Sequence, residues 1–327
     1  MITNEVIGKC RIINAQTSIF PTQVPIRGNI STVGNTQYAY WDANTSVPSN
    51  SKSKTWDSDI FTYLPPGSNE DATTNVKTVM NIHNTNGEEN GFLSNPMCLR
   101  LSSEAYATID TNISKSWAER DGFTISVTFK SDFHPYNDRT IFFLGNISEE
   151  GDKREFYNGM KIDLENVYWY FTSKSNDGVE VMNKMKAPIR QNTLTTVDFV
   201  YMHKQKSDGT NEGMAKIFIN GKLYSAVEAD NYDSSIPNKI YLGCAYLATK
   251  DETFNYADSN IMSLRIFSKY LNDMEVVVNS HNTRAERDEN NNVIAEKYDE
   301  WKKRNYFITN EENIPNSSIY KLVGIDY

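Results

Sequence analysis

Two carboxylates alternate in the segment KIDLE, residues 161–165. Asp163 and Glu165 are separated by one residue, so on a β-strand both side chains project from the same face. Two carboxyl groups on one face can serve as the acid and the nucleophile in cleavage of a glycosidic bond. An ordinary solvated strand face explains the same spacing, and for this chain we expect that explanation to hold and no residue to be catalytic.

The most aromatic run of the chain is VYWYF, residues 167–171. On a strand, Tyr168 and Tyr170 face one way and Trp169 faces the other, with one set in the core. Aromatic planes pack against the C–H faces of sugar rings. Tyr168, Trp169 and Tyr170 are therefore the predicted glycan-binding residues, and core or plain sheet surface is the alternative for each of them.

Signals for a zinc site, a disulfide framework and nucleophilic catalysis are missing from the sequence. The three cysteines, Cys10, Cys98 and Cys244, lie far apart and form no CxxC pair, so neither a zinc site nor a disulfide framework is predicted. The four histidines are scattered without paired spacing. We expect the cysteines to be small buried residues.

Charge and hydropathy exclude two classes of partner. The 327 residues carry a formal net charge of −9 and no cluster of Lys and Arg. A protein that binds nucleic acid usually presents a basic patch to the phosphates, so no nucleic-acid partner is expected. The chain has no run of 18 apolar residues, so no membrane span is expected either.

The elements that position these residues are predicted to be short antiparallel strands. Apolar and polar residues alternate over four repeats from Phe123 to Lys130. The Asn220-Gly221 pair lies between two alternating segments and favours a type I′ hairpin turn, with Ile217 and Ile219 facing the core. Many such segments, separated by turns and without helical periodicity between them, predict a mainly β protein folded as an antiparallel sandwich.

Three regions differ in composition. Residues 1–95 are loop-rich and are predicted to be a small β module or an extended arm that attaches to a partner. Residues 96–280 carry the strand patterns of the sandwich. Residues 281–327 are predicted to hold a helix and a tail, since Ile294, Tyr298 and Trp301 form one apolar stripe that would dock on its own chain or on a neighbouring subunit. Asn272, with Glu275 three residues later, predicts the start of a shorter capped helix before this region.

Four segments resemble, in order, the laminin-G-like, concanavalin-A-like jelly rolls. They are CLRLSSEAYATID at 98–110, DGFTISVTFKS at 121–131, AKIFINGKLYSA at 215–226, and the closing pair IYLGCAY at 240–246 with NIMSLRIFSKYLNDMEVVVN at 260–279. In DGFTISVTFKS, Phe129 stands where that family often has Trp. The resemblance covers just over half of the chain and implies two antiparallel sheets packed face to face.

The same resemblance bears on catalysis and on calcium. Some glucanases of the superfamily carry Glu-x-Asp-x-Glu on one strand, and Asp163 and Glu165 match its last two positions. Lys161 stands at the first position, where the nucleophile belongs, and a lysine cannot form the glycosyl ester. Calcium at loop edges is implied by the family, and the oxygen-rich loops are the candidates, with plain turns as the alternative; these loops are 175–178, 229–233 and 255–260.

Domains of this family act outside cells, on carbohydrates and proteins, whereas the segment MITNEVIGKCRIINAQ lacks the pattern of a secretory signal. Bacteriophage virion proteins reconcile these two properties, because they are made in the bacterial cytoplasm and exposed only after lysis. Laminin-G-like domains occur in phage tail, fibre and head-decoration proteins. We therefore expect a non-catalytic structural and adhesion protein of a virion, located at its tail, fibre, collar or head.

The expected partners follow from that hypothesis. They are other virion proteins, host surface polysaccharide and further copies of the chain in a symmetric assembly. The alternative function is that of a bacterial carbohydrate-binding module or a degenerate glycosidase of the same superfamily. The aromatic run and the partial carboxylate motif support this alternative.

Overall fold

A computed structural model describes much of the chain between residues 37 and 284. The described residues are 37–43, 48, 50–58, 79–84, 90–94, 97–110, 122–131, 139–144, 147–150, 153–156, 158–190, 192–232, 239–247, 250–267 and 270–284. Within them lie twenty-one strands and one helix, numbered here along the chain. The second predicted helix, with Ile294, Tyr298 and Trp301, falls outside the described residues.

The strands form two large sheets in which all described pairs are antiparallel. Sheet 1 has the order β16 (Lys222–Glu228), β15 (Asn211–Ile219), β14 (Leu194–Gln205), β7 (Gly122–Ser131), β21 (Ser259–Phe267), β5 (Met97–Leu101) and β4 (Gly91–Ser94), and β1 (Gln37–Asp42) also pairs with β21.

Sheet 2 contains the strand with the aromatic run. Its order is β13 (Glu180–Pro188), β12 (Asn166–Lys174), β11 (Gly159–Ile162), β8 (Arg139–Phe143), β18 (Lys239–Leu242), β6 (Tyr106–Asp110), β3 (Val79–His83) and β2 (Thr55–Asp57), and β17 (Asn231–Tyr232) also pairs with β12. Two small hairpins complete the set: β9 (Ile147–Glu150) with β10 (Lys153–Phe156), and β19 (Ala245–Leu247) with β20 (Glu252–Phe254).

The core lies between the two sheets, so the prediction of an antiparallel β-sandwich is confirmed. Phe123 and the three alternate residues that follow it on β7 are buried there, as the period-two pattern predicts. Trp169 of sheet 2 stacks on Phe199 of sheet 1 with ring centroids 4.5 Å apart. The Trp41 indole nitrogen of β1 donates a 3.0 Å hydrogen bond to the Trp56 carbonyl of β2, which joins the two sheets at a second place.

The hairpin of β15 and β16 has the predicted turn. Asn220 and Gly221 both have positive φ, 56° and 84°, as a type I′ turn requires. Ile217 and Ile219 face the core, and Phe218 points to the opposite face of sheet 1. Phe218 is nevertheless fully buried, because a helix covers it.

That helix, α1 (Asp273–Arg284), packs on the outer face of sheet 1. Asn272 caps it: the Asn272 side chain accepts from the Glu275 amide at 3.0 Å, and Glu275 accepts from the Asn272 amide at 2.9 Å. The polar residues Thr124 and Ser126 on the outer face of β7 are also buried. Thr124 Oγ1 accepts from the Leu271 amide just before the helix, and the helix residue Asn279 bonds Ser126.

The described strands before position 96 also belong to the sandwich. The strands β1 and β4 lie in sheet 1, and β2 and β3 lie in sheet 2. Trp41, Trp56 and Phe92 from these strands are buried in the core. The division expected at residue 95 therefore does not separate the described part of 1–95 from the sandwich, because these strands complete both of its sheets.

Candidate functional site

Strand β12 presents two different faces, and the aromatic run divides between them. Trp169 is fully buried in the core against Phe199 and Phe142. Tyr168 and Tyr170 are half-exposed on the outer face of sheet 2, with ring centroids 6.4 Å apart. A sugar ring cannot reach Trp169, so the prediction for that residue is corrected, and the candidate glycan contacts are Tyr168 and Tyr170.

Lysines surround the two tyrosines because of the strand register. Tyr168 lies opposite Lys186 of β13 and Lys161 of β11, and Tyr170 lies opposite Lys184. The Lys184 ammonium is 4.5 Å from the Tyr168 ring centroid and 5.4 Å from that of Tyr170. The other two ammonium groups lie 5.8 Å and 6.0 Å from the nearer ring. Such distances allow cation–π attraction, which orders both kinds of side chain.

We call these five residues the tyrosine–lysine surface: Lys161, Tyr168, Tyr170, Lys184 and Lys186. Lys184 and Lys186 are exposed, whereas Lys161 is largely buried. These lysines were not predicted from the sequence as part of the site. Their signal is the alternation of lysines in NKMKAP, which places Lys184 and Lys186 on one face of β13.

Asp163 lies beside this surface and stabilises the turn between β11 and β12. Strand β11 ends at Ile162, and Asp163 lies in the turn to β12. Its side chain accepts from the Asn166 amide at 2.7 Å, from the Glu165 amide at 2.9 Å and from the Tyr168 hydroxyl at 2.7 Å. Burial alone would raise the pKa of Asp163, but these hydrogen bonds outweigh it and hold the pKa below its usual value. The same contact raises the pKa of Tyr168 to about 12.

This turn changes the interpretation of KIDLE. Asp163 and Glu165 do not share the face of a strand, because the strand has ended before both of them. Asp163 is occupied by the backbone of its own turn, and Glu165 is exposed. Lys161 is on β11, opposite Tyr168. The arrangement is that of a hairpin turn with a capping carboxylate.

Aromatic residues continue across sheet 2 from Tyr170. Gly159 of β11 lies between Tyr170 and Phe143 of β8, and Tyr241 of β18 comes next in the same row. Tyr241 stacks on Tyr246 of the β19–β20 hairpin with centroids 4.9 Å apart. Phe143 and Tyr241 belong to a buried cluster with Cys244 and Ala245, and Tyr170 packs against the edge of that cluster. The row therefore leaves Tyr170 as its exposed end.

Two of the three candidate calcium loops meet at one end of the sandwich. The side-chain nitrogen of Asn176 donates to the Asn211 carbonyl and to the Asp230 carboxylate, at 3.1 Å each, and the side-chain nitrogen of Asn231 donates to the Lys174 carbonyl. In the third loop, the Asp258 carboxylate accepts from the Ser103 amide. Side-chain oxygens in these loops thus already bond to protein groups.

The described residues contain neither a cluster of metal ligands nor a membrane-spanning helix. No group of three or more His, Cys, Asp or Glu side chains in the described ranges could hold a metal ion. No helix in the described part of the chain is long and apolar enough to cross a membrane.

Comparison with protein families gives one match. The model of the Laminin_G_3 family, described as the concanavalin A-like lectin/glucanases superfamily, matches residues 101–277, which is more than half of the chain. No curated protein matches.

Solved structures with similar folds include toxin binding domains. The botulinum neurotoxin serotype D/C binding domain is 13% identical, with a TM-score of 0.48, and the match covers 77% of this chain and 54% of that one. The serotype C1 binding domain is 12% identical, with a TM-score of 0.48 and coverages of 80% and 55%. This chain thus spans about half the length of those domains.

A smaller carbohydrate-binding domain also matches. It is the CBM40 of the Ruminococcus gnavus IT-sialidase, solved with α2,3-sialyllactose. It is 16% identical, with a TM-score of 0.37, and the match covers 49% of this chain and 82% of that one. At these sequence identities and TM-scores, the similarities support no conclusion about function.

Proposed function

This chain belongs to the Laminin_G_3 family of the concanavalin A-like lectin/glucanases superfamily, and from that premise we propose that it is a non-catalytic adhesion and structural protein of a bacteriophage virion. Its lectin-type domain binds a host surface glycan through the tyrosine–lysine surface. The subunit belongs to the tail, fibre, collar or head decoration of the particle. Its other partners are virion proteins, including further copies of itself.

The proposed glycan-binding role rests on the different surroundings of the two faces of strand β12. Trp169 anchors the strand in the core, while Tyr168 and Tyr170 present their rings on the outer face of the same strand. The Tyr168 hydroxyl is fixed by Asp163, and the Lys184 ammonium lies over both rings. Rings held in place before binding lose little conformational freedom when a sugar packs on them.

The positions of Asp163 and Lys161 support the proposed absence of catalysis. Asp163 is occupied in its turn, and Lys161 stands where the related glucanases have a nucleophile. A retaining mechanism needs two carboxyl groups about 5 Å apart on either side of the scissile bond. Incubation with polysaccharides should release no sugar, and a release that Glu165→Gln abolishes would contradict the proposal.

The virion setting draws support from the cysteines. Cys98 and Cys244 are both buried, Cys244 is a free thiol, and burial raises the pKa of Cys244 well above its usual value. A buried, reduced Cys244 suits folding in a reducing bacterial cytoplasm, where phage proteins are made. Mass spectrometry of purified particles and inspection of the neighbouring genes test this part of the proposal. Portal, capsid or tail genes beside it are expected.

Glycan binding is tested with the intact protein on an array of bacterial capsular and cell-wall polysaccharides. Tyr168→Ala and Tyr170→Ala are each expected to reduce binding about tenfold or more, because a lost stacking contact removes buried apolar area. Tyr224→Ala is the matched control. Tyr224 is an exposed tyrosine beside Lys222 on β16, in the other sheet. A flat array, or equal losses in all three variants, would remove the glycan-binding role.

The alternative is a bacterial carbohydrate-binding module or a degenerate glycosidase. The same surface favours it, because two neighbouring half-exposed tyrosines on the outer face of a sheet suit a module that holds polysaccharide. Genes for carbohydrate-active enzymes beside this one, together with its absence from phage particles, would support the alternative over the virion role. Glycan binding through Tyr168 and Tyr170 is common to both.

A further inference from the structure

The tyrosine–lysine surface differs in charge from the chain as a whole. The chain has a net charge of −9, yet Lys184 and Lys186 project from the exposed outer face of β13 beside the two tyrosines. Both ammonium groups lie within 6 Å of the Tyr168 ring centroid. An acidic protein that gathers cations at one aromatic surface has a local potential opposite to its overall one.

The charges of Lys184 and Lys186 are not neutralised within the described part of the chain. Neither forms an ion pair with a described carboxylate, and the ion pairs found there involve other lysines: Lys206, Lys216 and Lys239. The neighbouring carboxylate, Asp163, is held by its turn and by the Tyr168 hydroxyl. An ammonium over an aromatic face keeps its hydrogen-bond donors available on the opposite side.

The charges lie on one side of the tyrosine rings. On its other side, Tyr170 packs against the edge of the buried cluster that contains Phe143 and Tyr241, with the buried Gly159 between the two strands. Lys184 lies directly across Tyr170 on β13, one strand away. A sugar ring that packs on the half-exposed rings of Tyr168 and Tyr170 would therefore lie beside the ammonium groups of Lys184 and Lys186.

We propose that the glycan recognised at this surface is an acidic one, whose sugar units carry carboxylates. The sugar ring packs against Tyr168 and Tyr170, and its carboxylate accepts hydrogen bonds from the ammonium groups of Lys184 and Lys186. The inference rests on the proposed glycan-binding function and adds the chemical class of the ligand. Neutral polysaccharides bind the tyrosines without the ionic contacts, and so bind more weakly.

The test compares matched ligands on the intact protein. Bacterial polysaccharides that contain uronic acids are presented in native form and after chemical reduction of their carboxyl groups to alcohols, which keeps the ring and removes the charge. The native forms are expected to bind about tenfold or more tightly than the reduced forms at low salt, and this preference should decrease as salt is raised.

The double variant Lys184→Gln/Lys186→Gln is expected to lose the preference for the native forms while it retains binding to the reduced ones. Lys222→Gln is the matched control, because Lys222 lies 5.7 Å from the Tyr224 ring on the opposite sheet. Both substitutions replace a lysine beside a tyrosine on a strand, so their effects on folding are expected to be similar.

The outcomes separate this inference from the proposed function. Equal binding of native and reduced polysaccharides would overturn the acidic class and leave glycan binding intact. A preference that survives the double variant would also overturn it, and would mean that the two lysines only protect the edge strand β13 from pairing. A failure of every polysaccharide to bind, native or reduced, would overturn both proposals.

Discussion

Trp169 and Tyr170 are neighbours in the chain but have opposite surroundings. Trp169 has no exposed surface and packs face to face with Phe199 of the other sheet, whereas Tyr170 is half-exposed beside Lys184. Removal of the buried ring leaves a cavity between the sheets, while removal of the exposed one leaves space that water fills. We therefore expect Trp169 to serve stability, whereas recognition is the role proposed for Tyr170.

A stability measurement follows from this contrast. Trp169→Ala is expected to lower the free energy of unfolding by about 3–5 kcal/mol, as for other large aromatic residues truncated in cores. Tyr170→Ala is expected to lower it by less than about 1 kcal/mol. Urea unfolding at one pH checks both values. Trp169→Phe should fall between them, because it keeps a ring against Phe199. Equal effects of the two alanine variants would show that Trp169 is not packed in this way.

Asp198 gives a prediction about pH. Its carboxyl group is fully buried beneath α1, where it accepts from Asn279 at 2.8 Å. Burial raises the pKa of Asp198 to about 7, although hydrogen bonds from Ser126 and Asn279 and the charge of Arg265 act in the opposite direction. The folded protein thus holds this proton more tightly than the unfolded chain does. Its contribution to stability is present below about pH 4 and is lost as the pH rises to about 7.

The measurement compares the wild type with Asp198→Asn, which keeps the shape but does not titrate. The free energy of unfolding of the wild type, taken relative to the variant, is expected to fall between pH 4 and pH 7 and to be constant above about pH 8. The expected fall is on the order of 4 kcal/mol. A constant or rising difference over that interval would contradict the assignment to Asp198.

At the level of elements, the sequence correctly predicted the features that depend on interactions between neighbouring residues. The alternation from Phe123 to Phe129, the turn at Asn220-Gly221 and the cap at Asn272 all formed as expected. Each depends on the geometry of a few consecutive residues. The predicted burial of Ile217 and Ile219 was correct for the same reason.

The rest of the fold depends on contacts between distant parts of the chain. Strands β5 and β6 are close in sequence but lie in different sheets, and no local pattern states this. The run VYWYF has aromatic residues on both faces, so periodicity alone could not tell which of Trp169 and Tyr170 is buried. The lysines of β13 reach the tyrosines only through the register of two strands. The sequence therefore indicated the tyrosines of the candidate site but not the lysines that lie beside them, and glycan binding there stays a prediction.

Helix α1 supplies a prediction at this scale. Asn272→Ala removes the side chain that accepts from the Glu275 amide, and is expected to lower the free energy of unfolding by about 1 kcal/mol. Asn272→Asp should keep nearly full stability, because a carboxylate caps a helix equally well. Thermal or urea unfolding of the two variants checks this. An alanine variant as stable as the wild type would mean that packing on sheet 1 alone holds the helix.

For the whole molecule, the question is where the folding unit begins. Strands β1 to β4 occupy places in both sheets, and the indole of Trp41 bonds to the carbonyl of Trp56 across the sandwich. A chain that starts at residue 96 would expose the core positions that these strands cover.

The corresponding prediction compares two shortened chains. A protein that starts at residue 96 is expected to lose cooperative unfolding, because Trp41, Trp56 and Phe92 no longer fill the core. A protein that starts at residue 37 retains all of the described strands and is expected to unfold cooperatively. Circular dichroism during a urea titration distinguishes them. Cooperative unfolding of the chain that starts at residue 96 would instead support an independent domain at 96–280.

The position of β21 also affects how the protein is made. This strand lies between β7 on one side and β5 and β1 on the other, so sheet 1 is not continuous until it joins. At about 5–20 residues per second, a ribosome needs roughly 10–45 s to advance from β1 to β21. During that interval the nascent chain displays β-strands whose partner does not yet exist. Newly made molecules are thus most exposed to mispairing before release, and a chaperone that shields them then would raise the yield.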